Sequence, residues 1–174
     1  MEQNTQTVSP FSNTSRNTWV KEHLTSALLE LLEQKPIAEI SISELCEKAQ
    51  VGRSSFYRNY QDKEDIVRQY LQKLTSQWAK RLKIQPGPSA REIIQALFSH
   101  FDSHRDLYGL LNRQGLIYLL KDIFLEIFGF NPQQELSAAY SSAYLAYFLY
   151  GWVEVWFARG MKDTPEELIA HLPG

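Results

Sequence analysis

Apolar residues recur at helical spacing along most of this chain, and this pattern predicts a succession of α-helices. The first helix covers about residues 15–34 and ends before Pro36, because a proline cannot continue a helix. Ser41 and Glu44 then form a capping-box pattern, in which the serine hydroxyl accepts from the glutamate amide and the glutamate carboxylate reaches back. A short second helix is therefore predicted to start at Ile42.

The next breaks separate two further helices. Residues 50–52 end the second helix, and Ser54 or its neighbour is expected to cap a third helix that ends near Tyr60. Asp62 caps a long fourth helix with an apolar stripe that continues to Leu82. Two prolines around a glycine at 85–88 make the strongest break in the chain, and we expect a domain boundary there.

The second half continues the helical pattern. Helices are predicted at 90–104, 116–128 and 133–159, with a last short helix from Thr164 after a C-cap at Gly160. No stretch shows the alternation of a strand. The predicted fold is all-α, with about nine helices in total: an N-terminal three-helix domain followed by a C-terminal helical bundle.

Composition places the chain among ordinary globular proteins. Its 174 residues are 44% hydrophobic and 22% charged, which is enough to build a real core. The single cysteine, Cys46, excludes an internal disulfide, and we expect a reducing, cytoplasmic location. Residues 1–14 are rich in Ser, Thr, Asn and Gln without an apolar run, so they predict a flexible tail and not a signal peptide.

One segment is long and apolar enough to raise the question of a membrane. Residues 136–153 contain no charged side chain, and their length is close to the minimum for a spanning helix. They also carry three serines, four tyrosines and a glycine, and Glu154 follows directly. A buried helix in a protein interior is the better interpretation.

The net charge of −2 conceals an asymmetry between the two halves. Residues 14–83 hold twelve Lys and Arg against nine Asp and Glu, a net charge of +3, whereas residues 84–174 hold six against ten, a net charge of −4; Glu2 supplies the remaining −1. The basic excess lies in the half that contains the short helices. It suits a polyanionic partner without proving one.

Two short helices around a tight turn, the second polar and basic, are typical of a helix-turn-helix, whose second helix enters the major groove of DNA. Arg53 can donate two hydrogen bonds to a guanine edge, and Ser54 and Ser55 can bind bases or phosphate. Tyr57, Asn59 and Lys63 are placed to reach the sugar-phosphate backbone, beside the amides that open the fourth helix. The candidate DNA-binding residues are Ser41, Ser43, Arg53, Ser54, Ser55, Tyr57, Arg58, Asn59 and Lys63.

The opposite side of the third helix has a different role. Phe56 and Tyr60 are four residues apart and therefore share a helix face. We expect this face to be buried against the first helix.

The segment ISELCEKAQVGRSSFYRNYQDKE, residues 42–64, resembles the DNA-binding signature of the TetR family of bacterial transcriptional regulators. The resemblance covers about residues 15–83, and beyond them only the helix count and the GMKDTPEE ending are similar. It implies a DNA-binding domain at 15–62, a connecting helix at 63–85 and a ligand-binding and dimerisation domain at 86–174. It also implies that Tyr57 and Lys63 hold phosphates while Arg53, Ser54 and Ser55 face bases.

One residue departs from the family pattern. Gln50 stands in the turn where the family commonly has glycine. Either Gln50 adopts a left-handed conformation at a cost of about 1 kcal/mol, or the turn is shaped differently.

The resemblance implies a homodimer bound to a double-stranded operator, a repressor mode, and release by a small-molecule inducer. The long helix carries more aromatic surface than one buried face needs, which independently favours a dimer through the C-terminal helices. An inducer cavity would lie among these helices, and no cofactor is implied. The candidate lining residues are Tyr108, Tyr118, Phe124, Tyr144, Tyr147 and Trp152.

Other interpretations stay open. His100 and His104 are four residues apart on a helix, a spacing that can bind zinc in a metal-responsive regulator, although two histidines alone are a weak signal. A co-activator or ligand-sensing subunit with this fold would act through protein partners and not DNA. Cys46 is expected in the core. No nucleophile, phosphate loop or carboxylate pair is spaced for catalysis, so an enzyme is not predicted.

Overall fold

A computed structural model describes residues 13–83 and 89–171. Within these ranges all of the regular secondary structure is helical. The all-α prediction is therefore confirmed. A 3-10 turn, Ile37–Glu39, accompanies nine α-helices in the described ranges. These are α1 (Asn13–Leu32), α2 (Ile42–Lys48), α3 (Arg53–Asn59), α4 (Lys63–Lys83), α5 (Ala90–Ser103), α6 (Arg105–Arg113), α7 (Leu119–Ile127), α8 (Leu136–Ala158) and α9 (Pro165–Ala170).

The chain divides into two compact units, Met1–Val67 and Arg68–Gly174. The division falls inside α4, so the first turn of this helix belongs to the N-terminal unit. The break expected at 85–88 and the first twelve residues of the expected tail lie outside the described residues, as does the side chain of Leu82.

The N-terminal unit is built on one face of α1. Leu24, Leu28 and Leu32 recur at intervals of four and are almost completely buried, where they pack on α2 and α3. Phe56 from α3 and Leu45 from α2 are equally buried. Replacing a buried phenylalanine by alanine typically costs about 3–5 kcal/mol, so Phe56 is a principal anchor of α3.

The C-terminal unit packs α7 along α8 and α5 against α9. Phe98 of α5 meets Trp156 of α8 edge to face, with ring centroids 5.5 Å apart, and both side chains are buried. The indole N–H of Trp156 donates to the carbonyl oxygen of Asp163 at 2.9 Å. This hydrogen bond holds the end of α8 against the segment that leads into α9.

Helix α6 has no counterpart among the predicted helices. Its segment is short and carries Gly109 near the middle, where glycine weakens a helix. Tyr108 and Leu111 are fully buried nonetheless, so tertiary packing stabilises the helix. A Cβ on Gly109 would lie 3.2 Å from the terminal methyl of Met161, so the flexible end of Met161 would have to shift slightly to accommodate an alanine.

The end of the chain follows the prediction closely. Gly160 adopts a positive φ of 76° after α8, as a glycine C-cap does. Thr164 accepts a hydrogen bond from the amide of Glu167 at 3.2 Å, and the Glu167 carboxylate accepts from the amide of Thr164 at 2.8 Å. Pro165 occupies the first turn of α9.

Helix α8 starts at Leu136, slightly later than predicted, after Glu135 caps it by accepting from the amide of Ser137. Its apolar stretch does not make it a spanning segment. Among the helices in the described ranges, none combines the length and the apolar character that crossing a membrane requires.

Candidate nucleic-acid interface

Helix α2 begins with part of the predicted cap. The hydroxyl of Ser41 accepts a hydrogen bond from the backbone amide of Glu44 at 3.1 Å. The Glu44 carboxylate, expected to reach back, instead lies 2.7 and 2.8 Å from the ammonium of Lys35. This hydrogen bond from Lys35 holds the pKa of Glu44 below its ordinary value. The pair ties the end of α1 to the start of α2.

The turn between α2 and α3 is closed by backbone hydrogen bonds. The amide of Val51 donates to the carbonyl oxygen of Cys46 at 2.9 Å, and the amide of Gln50 donates to the carbonyl oxygen of Glu47 at 3.0 Å. Gln50 has a φ of 54°. It therefore adopts the left-handed conformation that the family usually gives to glycine, at a cost of about 1 kcal/mol.

Gly52 occupies the N-cap position of α3 instead of Ser54 or its neighbour, and no side chain caps this helix start. An extended backbone at Gly52 therefore leads directly into Arg53.

The inner face of α3 is held by two aromatic rings. Phe56 and Tyr60 are buried, with centroids 6.1 Å apart, as their spacing predicted. The ammonium of Lys21 on α1 lies 5.7 Å above the ring of Tyr60, at a distance that permits a cation–π interaction. Burial raises the pKa of the Tyr60 hydroxyl. These contacts fix the rotation of α3 about its axis.

The outer face of α3 is consequently polar and accessible. Arg53, Ser54, Tyr57 and Arg58 are exposed, and 54% of the Tyr57 surface is open to solvent. This face presents two guanidinium groups, an aliphatic hydroxyl and a phenol, which can bind base edges and phosphates.

The other candidates lie on α3 and at the start of α2. Ser55 and Asn59 are half-buried, and the Asn59 side-chain amide donates to the carbonyl oxygen of Ser55 at 2.8 Å. Ser41 and Ser43, at the start of α2, are exposed.

Lys63 is placed differently from its neighbours. It is half-buried at the start of α4, and its ammonium donates to the carbonyl oxygens of Ile37 and Ile40 at 2.6 and 2.5 Å. An ammonium has three donors. Two of these three donors are thus used in hydrogen bonds to carbonyl oxygens of the segment that connects α1 and α2.

Asp62 caps α4 as predicted. Its carboxylate accepts from the amide of Asp65 at 2.7 Å, and the Asp65 carboxylate accepts from the amide of Gln61 at 3.1 Å. One of the amides considered for anion binding at this helix start is therefore occupied by Asp62.

Sequence reasoning missed a surface at the start of α1. A hollow of about 1070 Å³, here called the α1–α3 hollow, joins this end of α1 to α3. Its lining residues are Thr14, Ser15, Arg16, Asn17, Trp19, Val20, Ser55, Arg58 and Asn59. The available signal was an arginine and a tryptophan near the start of a helix that otherwise has a clear buried stripe.

The six ligand candidates differ in burial. Tyr108 and Phe124 are fully buried, whereas Tyr118, Tyr144 and Tyr147 are largely exposed. Trp152 is half-buried and lines a hollow of about 520 Å³ between α8 and α9. Of the six, only Trp152 lines this hollow.

The two histidines make contacts within the protein. The Nε2 atom of His100 lies 2.9 Å from the Tyr108 hydroxyl, and the Nδ1 atom of His104 lies 2.9 Å from the carbonyl oxygen of His100. Burial raises the pKa of Tyr108 strongly. In residues 13–83 and 89–171, no group of three His, Cys, Asp or Glu side chains is placed to hold a metal ion.

The family model of the bacterial regulatory proteins of the tetR family matches residues 24–70, which include the helix-turn-helix and the start of α4. A curated HTH-type transcriptional regulator, the uncharacterized YxbF of Bacillus subtilis strain 168, is 28% identical over 128 residues. The helix-turn-helix segment of this chain therefore matches that of the tetR family of bacterial regulatory proteins. The match to YxbF covers 68% of this chain and 33% of that relative, so the chain spans about a third of the relative's length.

Solved structures share the fold of this chain. Lin0861 from Listeria innocua superposes with a TM-score of 0.68 at 15% identity, over 93% of this chain and 91% of that one. The fatty acid degradation regulator FadR from Bacillus halodurans superposes with a TM-score of 0.52 at 12% identity, over 87% and 91%. At these identities, the likeness concerns the fold alone.

Proposed function

We propose that this regulator is a repressor that binds a two-fold-symmetric operator as a homodimer and leaves it when a small molecule binds the C-terminal unit. The observation that carries the DNA-binding part is the outer face of α3. Phe56 and Tyr60 hold the helix from inside, so Arg53, Ser54, Tyr57 and Arg58 all face solvent from a rigid element. A rigid polar helix face is what major-groove recognition requires.

The groups on this face divide between bases and backbone. Arg53 begins α3, and the N-terminal residues of a recognition helix contact base edges. We assign Arg53 to a guanine, with Ser54 beside it, because a guanidinium donates two hydrogen bonds to the guanine O6 and N7 atoms. Tyr57 and Arg58 are assigned to phosphates.

The dimer is proposed from a stripe on α8. Leu136, Tyr140, Tyr144, Tyr147 and Val155 are all more than half exposed, and their spacing of three, four and eight residues places them on one side of the helix. The stripe is about 28 Å long at 1.5 Å per residue. Exposed apolar stripes of this size mark interaction surfaces, and a two-fold interface would bury the stripe against its own copy.

The ligand part is proposed from the hollow between α8 and α9. Trp152, Trp156 and Leu168 supply apolar lining, and Arg159 and Asp163 form a bidentate pair at its edge, at 2.5 and 2.6 Å. A volume of about 520 Å³ is within the range of small-molecule sites. A ligand that binds the DNA-free conformation more tightly would shift the population away from the operator.

Selection of bound fragments from random DNA by the purified full chain tests this proposal. It is performed at about 150 mM salt, where non-specific phosphate binding is weak. Enrichment of a two-fold-symmetric sequence is expected. If a folded, dimeric protein enriches no sequence, the DNA-binding proposal is wrong and a protein partner becomes the better explanation.

A further inference from the structure

The α1–α3 hollow has a different character from the hollow in the C-terminal unit. Seven of its nine described lining residues are of polar or charged type, and two of these are arginines, Arg16 on α1 and Arg58 on α3. Among the residues that the structure describes, no aspartate or glutamate lines the hollow. Arg16 and Arg58 are exposed, and neither takes part in the ion pairs recorded for the described ranges. The hollow therefore offers two guanidinium groups to an anionic partner.

Trp19 gives the same hollow an aromatic wall. Its ring lies against that of His23, with centroids 3.9 Å apart and the planes tilted by 32°, yet 46% of its surface is exposed. The histidine side chain therefore supports one side of the indole, and another part of the indole faces solvent. A supported and exposed indole is suited to packing on a sugar, with the arginines binding the neighbouring phosphates.

The hollow is continuous with the reading helix. Ser55, Arg58 and Asn59 of α3 form one side of it, and the first turns of α1 form the other. When α3 lies in a major groove, the sugar-phosphate strand at the edge of that groove must pass beside α3. The start of α1 forms the other side of the hollow and is therefore placed to meet that strand.

We infer that the α1–α3 hollow seats a sugar-phosphate segment of the bound DNA, with Arg16 and Arg58 on its phosphates and Trp19 against its deoxyribose. This inference rests on the proposed DNA binding and extends it to residues of α1 outside the helix-turn-helix. Contacts to the backbone position the protein without reading sequence. Arg16 therefore adds equally to binding on operator and on unrelated DNA.

A salt titration of DNA affinity separates this role from others. Wild type, Arg16→Gln, Arg16→Lys and the control Arg91→Gln are compared on the selected operator and on a scrambled duplex. Arg91 is exposed on α5, in the C-terminal unit. Arg16→Gln should weaken binding several-fold on both duplexes and reduce the slope of log affinity against log salt by about 0.9 for each protomer bound. Arg16→Lys should retain the slope because it retains the charge.

Fluorescence gives a second readout that does not depend on charge. Trp19 is the only tryptophan in the N-terminal unit, so the difference between wild type and Trp19→Phe isolates its emission. Saturating operator DNA should change this difference signal, and Trp19→Phe should weaken binding on both duplexes. The far-ultraviolet circular dichroism of each variant should match that of wild type.

The two levels of the proposal fail in different ways. If wild type binds the operator while Arg16→Gln matches Arg91→Gln in affinity and slope, and the Trp19 signal does not respond to DNA, the assignment of the hollow is overturned. If wild type itself binds no DNA, the proposed function is overturned and this inference with it.

Discussion

The ammonium of Lys63 donates a hydrogen bond to the carbonyl oxygen of Ile40, 23 residues earlier in the chain, and a second to that of Ile37. These two bonds connect the first turn of α4 to the segment that leads into α2. Family resemblance assigns Lys63 to a phosphate. The contacts observed give it a structural role, which is independent of DNA.

Replacing Lys63 by methionine should lower the free energy of unfolding by about 2 kcal/mol, because two carbonyl oxygens lose charged hydrogen-bond donors. Methionine retains the apolar stem, so the effect of packing is small. Urea denaturation measures the change. Lys73→Met is the control, since Lys73 is exposed on the same helix. Equal stability of the two variants would show that the Lys63 bonds contribute nothing to folding.

Replacing Gln50 by glycine should stabilise the folded protein. The φ of 54° at this position is strained for glutamine, and Gln50→Gly should raise the free energy of unfolding by about 0.5–1 kcal/mol. Thermal and urea unfolding provide the measurement. Gln34→Gly, at an exposed position without a positive φ, should be neutral or destabilising. A destabilised Gln50→Gly variant would refute the strain.

Arg53 should control sequence discrimination. On the intact operator, Arg53→Ala should cost about 1–3 kcal/mol of binding free energy, because the contact to its guanine is lost. On an operator in which that guanine has been replaced, the same substitution should change the binding free energy little. Arg58→Ala should weaken binding on every sequence by a similar factor, because phosphates are the same in all of them. Fluorescence anisotropy with a set of single-base operator variants gives both values. Equal losses for both variants on operator and random DNA would contradict the division of roles.

The exposed stripe on α8 should hold the dimer. Tyr144 is 69% exposed, and Tyr144→Glu would place a charge in a desolvated interface, where it has no partner. Sedimentation velocity should show a shift from dimer to monomer at micromolar concentration. Tyr57→Glu makes the same substitution at an exposed tyrosine of α3 and should leave the mass unchanged. A Tyr144→Glu variant that remains dimeric would locate the interface elsewhere.

The Lys35–Glu44 pair should make stability depend on pH on the acid side. The hydrogen bond from Lys35 lowers the pKa of Glu44 in the folded state, so folding is favoured by the ionised form. The contribution is present well above the ordinary pKa of 4.5 and is lost as the pH falls through the lowered folded-state value. The stability difference between wild type and Lys35→Met should therefore shrink on acidification. A difference that stays constant with pH would contradict this.

The sequence predicted the helices where local signals agree. Ser41, Asp62 and Thr164 cap helices as expected, because a cap depends on residues within one turn. Helix α6 was missed because packing of Tyr108 and Leu111 overrides the weak propensity around Gly109. The local sequence pattern carries no information about contacts with residues that are distant in the chain.

Prediction of the candidate site from the sequence was limited in the same way. The face of α3 followed from the four-residue spacing of Phe56 and Tyr60. The partners of Lys63 and Glu44 lie nine or more residues away, so no local rule identifies them. The α1–α3 hollow joins residues some forty positions apart. It could be recognised only after α1 and α3 were placed side by side.

The most direct test of a sequence-specific regulator is the ratio of its affinities for the selected operator and for a scrambled duplex, both measured at about 150 mM salt. For specific recognition through α3, this ratio should be at least about 10³, and Arg53→Ala should reduce it. A ratio near one in a folded, dimeric protein would contradict the assignment of α3 as a reading helix.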